Sequence, residues 1–207
     1  MKLLNADFVT SAARAEGIPR DAVSRVALAG RSNVGKSSLI NALCRSKIAR
    51  TSAAPGKTRL LNFYRITMEG GPGGPGQWAV YLVDLPGYGY ARGGDDAAEE
   101  LAGIAQEYYA DSGARNFNSA SATLLLVDSR HPGLDSDRAA AGWLNRLGVS
   151  YRVVATKIDK LARSERAKNL KTLETTFGTA ALPVSATSGE GMDELWRTIA
   201  RLARTAE

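Results

Sequence analysis

Eight consecutive residues, Gly30-Arg31-Ser32-Asn33-Val34-Gly35-Lys36-Ser37, have the types and spacing that hold a chain of phosphates, the pattern G-x-x-x-x-G-K-[ST]. Val26-Ala27-Leu28-Ala29 before it reads as a short buried strand, and Ser38 to Leu43 after it as the first turns of a helix. A strand that turns tightly into a helix leaves backbone N–H groups unpaired at the helix start. Those groups, with the positive end of the helix dipole, attract phosphate oxygens. Glycine at 30 and 35 lets the backbone take torsions a Cβ would obstruct and approach the anion closely. Lys36 is placed to reach the β- and γ-phosphates, and the Ser37 hydroxyl to reach Mg²⁺. The competing reading is an ordinary glycine-rich turn.

Further chemistry follows other apolar runs. Tyr81-Leu82-Val83 leads into Asp84-Leu85-Pro86-Gly87. A carboxylate at that strand end can hold Mg²⁺ directly or through water, and Gly87 can offer its N–H to a γ-phosphate. Turn chemistry alone also accounts for D-x-P-G. Val153-Val154-Ala155 leads into Thr156-Lys157-Ile158-Asp159. A carboxylate at 159 can accept from the N1–H and 2-amino group of guanine, which adenine lacks, and the Lys157 stem can lie along the base plane. A solvated Lys–Asp pair is the alternative. Leu182-Pro183-Val184 leads into Ser185-Ala186, where a small residue lets the Ala186 N–H approach the guanine carbonyl oxygen. A Ser/Thr-rich loop capping the last helix explains the same residues. The loop 50–58 has no apolar periodicity and in a compact domain is more often functional than idle. Thr58 within it can supply a second hydroxyl to Mg²⁺, ordering the loop while a γ-phosphate is present. His131, the single histidine, has no metal-site companions, and Cys44, the single cysteine, is expected to be buried and inert.

These residues need a scaffold that presents strand ends on one side. Apolar runs at 25–29, 60–68, 78–84, 123–128, 151–156 and 182–184 alternate with helical patterns at 36–44, 95–110, 136–147, 164–177 and 192–203. The alternation predicts an α/β fold with a mostly parallel six-stranded sheet and helices on both faces. The short glycine- and proline-rich connection at 70–76 predicts one antiparallel strand, because parallel strands need a longer crossover. Ligand should then bind beyond the carboxyl ends of the strands, where every motif falls. Residues 1–21 read as a leading segment, partly loosely held, and 22–207 as one domain. At 44% hydrophobic and 23% charged residues, the 207-residue chain has the composition of a globular protein. No apolar run reaches membrane-spanning length, and Asn5 and Asp7 break any signal-peptide core after Lys2-Leu3-Leu4, so a cytoplasmic location is expected. A net charge of +6 suits a polyanionic partner such as RNA, or a solvated basic surface with none.

The four motifs, in this order and each at a strand end, resemble the P-loop GTPase superfamily. The runs Pro55-Gly56-Lys57-Thr58, Leu61-Asn62-Phe63-Tyr64, Asp84-Leu85-Pro86-Gly87-Tyr88-Gly89-Tyr90-Ala91, Asp128-Ser129-Arg130-His131-Pro132 and Thr156-Lys157-Ile158-Asp159 resemble the bacterial EngB-type GTP-binding proteins. The resemblance implies a three-layer G domain and a Mg²⁺-dependent GTPase. It also implies a role in assembly of the large ribosomal subunit or contact with its RNA, and in normal cell division and septation. It adds Gly56, Lys57, Arg59 and Leu60 around Thr58, Leu85 and Pro86 beside Asp84, and Val184 before Ser185 to the nucleotide-binding set. Lys36, Asn33, Thr58 and Gly87 are the expected catalytic residues, and Ser37, Thr58 and Asp84 the metal ligands. In some related proteins an asparagine at the place of Asn33 helps bind K⁺; shaping the loop is the alternative. The chain departs from the family pattern at Ala53-Ala54, Lys57, Arg59 and the tip at 70–76.

Tyr88 stands where many such proteins carry a water-orienting glutamine, so slow intrinsic hydrolysis, stimulated by a partner, is expected. Two other readings stay open. One is a nucleotide-binding module with negligible hydrolysis. The other is a P-loop ATPase or kinase acting on a small substrate, against which Asp159 argues. A monomer with no membrane partner is expected.

Overall fold

The computed structural model describes residues 1–49, 60–71, 74–88, 103–110 and 122–204. The expectations for Gly56, Lys57, Thr58 and Arg59, and for a helix beginning at 95, fall outside the described residues.

The most apolar runs form the middle of the sheet, where both faces are covered. β2 (Ser24–Gly30) lies between β4 (Gln77–Asp84) and β5 (Ala122–Asp128), parallel to both. Every residue of β5 is buried, which its Ala-Thr-Leu-Leu-Leu-Val-Asp text requires. β6 (Tyr151–Thr156) and β7 (Leu182–Pro183) continue the parallel array on the β5 side. On the other side β3 (Leu61–Glu69) runs antiparallel to β4, joined to it by the 70–76 tip, where Gly70 N–H donates to the Gly76 carbonyl at 3.0 Å. The single reversed strand matches the expectation.

The strand count does not. The first residues are not loosely held. Lys2–Ala12 forms β1, an edge strand paired antiparallel with β3 along its length, giving seven strands in the order β1-β3-β4-β2-β5-β6-β7. The linker behind it is tied down as well, with the Tyr81 hydroxyl donating to Asp21 Oδ2 at 3.0 Å.

Helices cover both faces. α1 (Lys36–Cys44) and α5 (Met192–Arg204) pack Leu39, Ile40, Leu43, Leu195 and Ile199 on one side. The opposite face takes Tyr108 from α2 (the helical residues 103–110), Leu144 from α3 (Asp135–Arg146) and Leu173 from α4 (Arg163–Phe177). Cys44 is buried in the first layer, and that burial pushes its thiol up to about 12, so it stays protonated and unreactive. Among the described residues no helix is long and apolar enough to cross a membrane.

Candidate functional site

The loop between β2 and α1 is shaped by two left-handed residues, Asn33 (φ 62°) and Gly35 (φ 111°). Turning the backbone this way aims successive N–H groups into one concavity, an arrangement that suits an anion. Gly30 lets the loop start tight against the sheet, because a Cβ there would lie 2.8 Å from Val34 Cγ1 and 3.0 Å from the Leu126 carbonyl oxygen. The Lys36 ammonium folds back over the loop and donates to the Gly30 carbonyl at 3.1 Å. Burial lowers its pKa, and the Asp84 charge opposes that shift.

The parallel register of β2 and β4 sets Leu28 against Asp84, which brings the β4 carboxyl end beside α1. Ser37 Oγ donates to Asp84 Oδ2 at 3.3 Å, while Asp84 Oδ1 is buried with no hydrogen-bond partner among the described residues. Burial raises the Asp84 carboxyl, against the opposing pull of Lys36 and Ser37. A buried carboxylate oxygen left open beside a hydroxyl is the donor set a small divalent cation takes. Mg²⁺ is commonly held by one or two carboxylates with the rest of its shell from phosphate and water.

After Asp84 the chain presses onto the phosphate loop. Leu85 N–H extends the ladder to the Leu28 carbonyl at 3.2 Å, and Leu85 and Pro86 are buried. A Cβ on Gly87 would lie 3.0 Å from Ser32 N and 3.1 Å from Lys36 Nζ, so glycine allows this approach without pushing on the phosphate loop. Ser32 N–H donates to the Tyr88 carbonyl at 3.0 Å. The Tyr88 hydroxyl is spent elsewhere, donating to Asp137 Oδ1 of α3 at 3.0 Å. Burial and the Asp137 charge push that phenol far above its ordinary range, which rules it out as a base. The sequence reading missed Asp137, because an acid in the first turn of a helix reads as a favourable dipole contact.

The second loop of the site follows β6. Thr156 Oγ1 donates to the Val34 carbonyl at 2.8 Å, and Lys157 (φ 60°) sends Nζ to the Asn33 carbonyl at 2.6 Å. Thr156 and Lys157 therefore fasten this loop to the phosphate loop. Asp159 accepts from Ser185 Oγ at 2.7 Å, and that bond is the main reason its carboxyl lies below the ordinary range. Ser185 is fully buried, and its Oγ also accepts from the N–H groups of Thr187 and Ser188 at 3.2 and 3.0 Å. These bonds hold the turn that carries Val184, Ser185 and Ala186 beside the Asp159 loop through Ser185. Arg166 of α4 braces both loops, through the Ile158 carbonyl at 3.1 Å and Glu190 Oε1 at 2.6 Å. Leu60, the one residue of its expected group that is described, is exposed immediately before β3. Arg31, within the phosphate loop, sets its guanidinium 3.7 Å from Asp128.

Gly191 closes the 185–190 turn at φ 77°, and a Cβ there would overlap the Pro183 carbonyl oxygen. We expect Gly191→Ala to destabilise the fold by about 2–4 kcal/mol through backbone strain and steric displacement. Chemical denaturation measures this, and a loss under about 0.5 kcal/mol would show that the turn relaxes freely.

Comparison with known proteins gives the same picture. A family model described as "50S ribosome-binding GTPase" matches residues 25–157. A "Probable GTP-binding protein EngB" from Anaeromyxobacter sp. (strain K) is 40% identical over 207 aligned residues, spanning 98% of this chain and 93% of the relative. The protein of the same name from Chlorobaculum parvum is 39% identical, spanning 94% of this chain and 95% of its own length. Among solved structures, Aquifex aeolicus Era bound to GDP and aluminium fluoride superposes with a TM-score of 0.71 at 24% identity, over 87% of this chain and 57% of Era. A crystal structure of an EngB protein superposes with a TM-score of 0.62 at 22% identity, over 87% of this chain and 99% of that one. The structural matches carry the fold, and the sequence matches carry the kinship: the chain belongs to the EngB family of P-loop GTP-binding proteins.

Proposed function

We propose that this protein binds GTP and GDP with Mg²⁺, hydrolyses GTP slowly alone, and acts as a switch in assembly of the large ribosomal subunit. The observation that carries the reading is the direct bonding of the Lys157 loop to the phosphate loop. It ties the loop that carries Asp159 to the phosphate-binding backbone, which supports recognition of purine and phosphates together. In this reading the amides of 30–37 cradle the phosphates and Lys36 neutralises them. Ser37 and Asp84 hold the metal, with Thr58 added from the loop 50–59. Gly87 supplies an N–H to the terminal phosphate. Asp159 reads guanine while Lys157 covers its face and Ala186 meets its carbonyl oxygen. When bound, Mg²⁺ supplies positive charge to the phosphate oxygens. The G domain spans 22–207, with the leading segment 1–21 contributing β1. The protein works in the cytoplasm as a monomer and is required for normal cell division and septation.

Slow hydrolysis rests on Tyr88. No base or amide side chain follows Gly87, and the phenol is held by Asp137. That same observation favours the second reading, a nucleotide-responsive binding module with negligible hydrolysis. Asn33 carries a further proposal, that K⁺ beside it supplies charge to the phosphates during hydrolysis.

Single-turnover hydrolysis of GTP, with and without purified large ribosomal subunits, tests the proposal. A rate stimulated by on the order of 10²-fold or more supports the switch. No hydrolysis in either condition would favour the binding module. Repeating the assay in K⁺ and in Na⁺ at equal ionic strength tests Asn33, and equal rates would remove K⁺ from the account.

A further inference from the structure

Three cationic side chains from three different segments converge on one carboxylate. Asp128, the last residue of β5, is 1% exposed. Its Oδ2 accepts from Lys157 Nζ at 2.9 Å and from Arg130 Nη2 at 2.8 Å, and its Oδ1 accepts from Arg130 Nε at 2.9 Å and the Arg130 N–H at 3.1 Å. Arg31 Nη2 of the phosphate loop stands 3.7 Å away. The sequence reading gave Asp128 no role, although a carboxylate closing an apolar strand is the signal that identified Asp84.

We propose that Asp128 is a positioning residue for the nucleotide, holding the Lys157 side chain across the seam between the phosphate loop and the purine loop. The inference rests on the guanine-nucleotide reading above and adds a residue to it. Lys157 sits at φ 60°, a backbone conformation that non-glycine residues adopt at a cost, so something must hold it there. Among the described residues its ammonium bonds the Asn33 carbonyl and Asp128. Of the two only Asp128 is charged, and charge-assisted bonds are the stronger kind. The carboxylate in turn is held in orientation by the Arg130 guanidinium, which takes both of its oxygens in a fork. With the head pinned, the stem is fixed as well: Lys157 Cε lies 3.8 Å from where a Cβ on Gly35 would be. That stem is the apolar surface a purine ring would rest on.

Burial by itself would raise the Asp128 carboxyl. The hydrogen bonds from Arg130 and Lys157 outweigh burial and hold it well below the usual carboxylate range. It is therefore ionised throughout the physiological range.

A purely electrostatic role and a positioning role predict opposite signs. Removing a negative charge near a polyphosphate should tighten GDP binding if charge is all that matters. Releasing Lys157 should weaken it. The experiment is a double-mutant cycle on GDP affinity and dissociation rate, using the full chain with Asp128→Asn, Lys157→Met and both together. We expect Asp128→Asn to weaken GDP about tenfold, mainly through faster dissociation, and to have less than about twofold further effect once Lys157 is Met. Unchanged or tighter binding by Asp128→Asn, or an equal loss in both backgrounds, would overturn the proposal. If Lys157→Met alone leaves GDP affinity intact, the guanine-site reading itself fails and takes this inference with it. Should Asp128→Asn not fold, Asp128→Glu serves in the same cycle. It keeps a charge for the arginines but moves the oxygen off Lys157, and additivity there overturns the proposal equally.

Discussion

Replacing Asp159 with alanine is expected to abolish the preference for guanine while leaving phosphate recognition in place. In the native site Asp159 keeps one oxygen on Ser185 Oγ, and its other oxygen lies 3.5 Å from the exposed Lys160 ammonium. A carboxylate held at one oxygen and open at the other can accept from N1–H and the 2-amino group together. Adenine offers neither donor and would leave the carboxylate unpaired. Sites of this type discriminate by on the order of 10⁴, because the wrong ligand costs a desolvated, unmatched group. Asp159→Ala should therefore reduce the GDP-over-ADP ratio by at least about 10². The Ser185 turn should survive, since its Oγ still accepts from Thr187 and Ser188. Asp159→Asn should shift the preference toward xanthine, whose C2 oxygen accepts from the new amide.

The Ser185 bond lowers the Asp159 carboxyl below its ordinary value of about 4, so the group is ionised at neutral pH. Selectivity should then be flat from about pH 5 to 8 and decline only as acid protonates the carboxylate. Competition of GDP, ADP and XDP against a fluorescent nucleotide measures all of this. Retained guanine preference in Asp159→Ala would refute the assignment.

The parts of this molecule that were legible in its sequence are those governed by local rules. Strands buried on both faces read as continuous apolar runs, and β2, β5 and β6 were found that way. Chemistry-bearing residues sit directly after such runs, because the carboxyl ends of parallel strands open onto one side of the sheet. β1 was not legible because its pleat is interrupted. The register with β3 shifts between Leu3 and Asn5 and again between Phe8 and Thr10, so Leu4 and Val9 fall outside the pairing. Each bulge inverts the inward–outward alternation, and Lys-Leu-Leu-Asn-Ala-Asp-Phe-Val keeps no period of two. Such kinks also blunt an exposed strand edge, which leaves an edge strand hard to recognise from sequence. The Asp137–Tyr88 and Asp128–Lys157 bonds were hidden for a different reason. Their partners are 49 and 29 residues apart, and only the sheet order brings them together.

Asp84→Asn should act in opposite directions depending on whether Mg²⁺ is present, which separates a metal ligand from a residue that merely packs. Asp84 and Lys36 are both buried, with the carboxyl raised and the ammonium lowered by desolvation, each opposing the other's shift. Without metal, a negative Asp84 beside the phosphates repels them and competes for Lys36. Neutralising it should leave GDP binding in EDTA unchanged or stronger by up to about tenfold, as the phosphates become the counter-charge that Lys36 requires. With Mg²⁺ the order reverses. The variant exchanges the charged carboxylate for a neutral amide with a single oxygen, so the gain in affinity that Mg²⁺ confers on the native protein should largely vanish. GTP hydrolysis should fall by on the order of 10²–10³, the usual effect of removing one charge-stabilising contact from a developing phosphoryl transition state. Titrating GDP in EDTA and in Mg²⁺, with single-turnover hydrolysis alongside, reads both signs. A variant weakened equally with and without Mg²⁺ would make Asp84 a structural carboxylate and leave the metal to other ligands. The crossing pattern has no structural explanation, because a packing defect has no reason to improve binding when the cation is withdrawn.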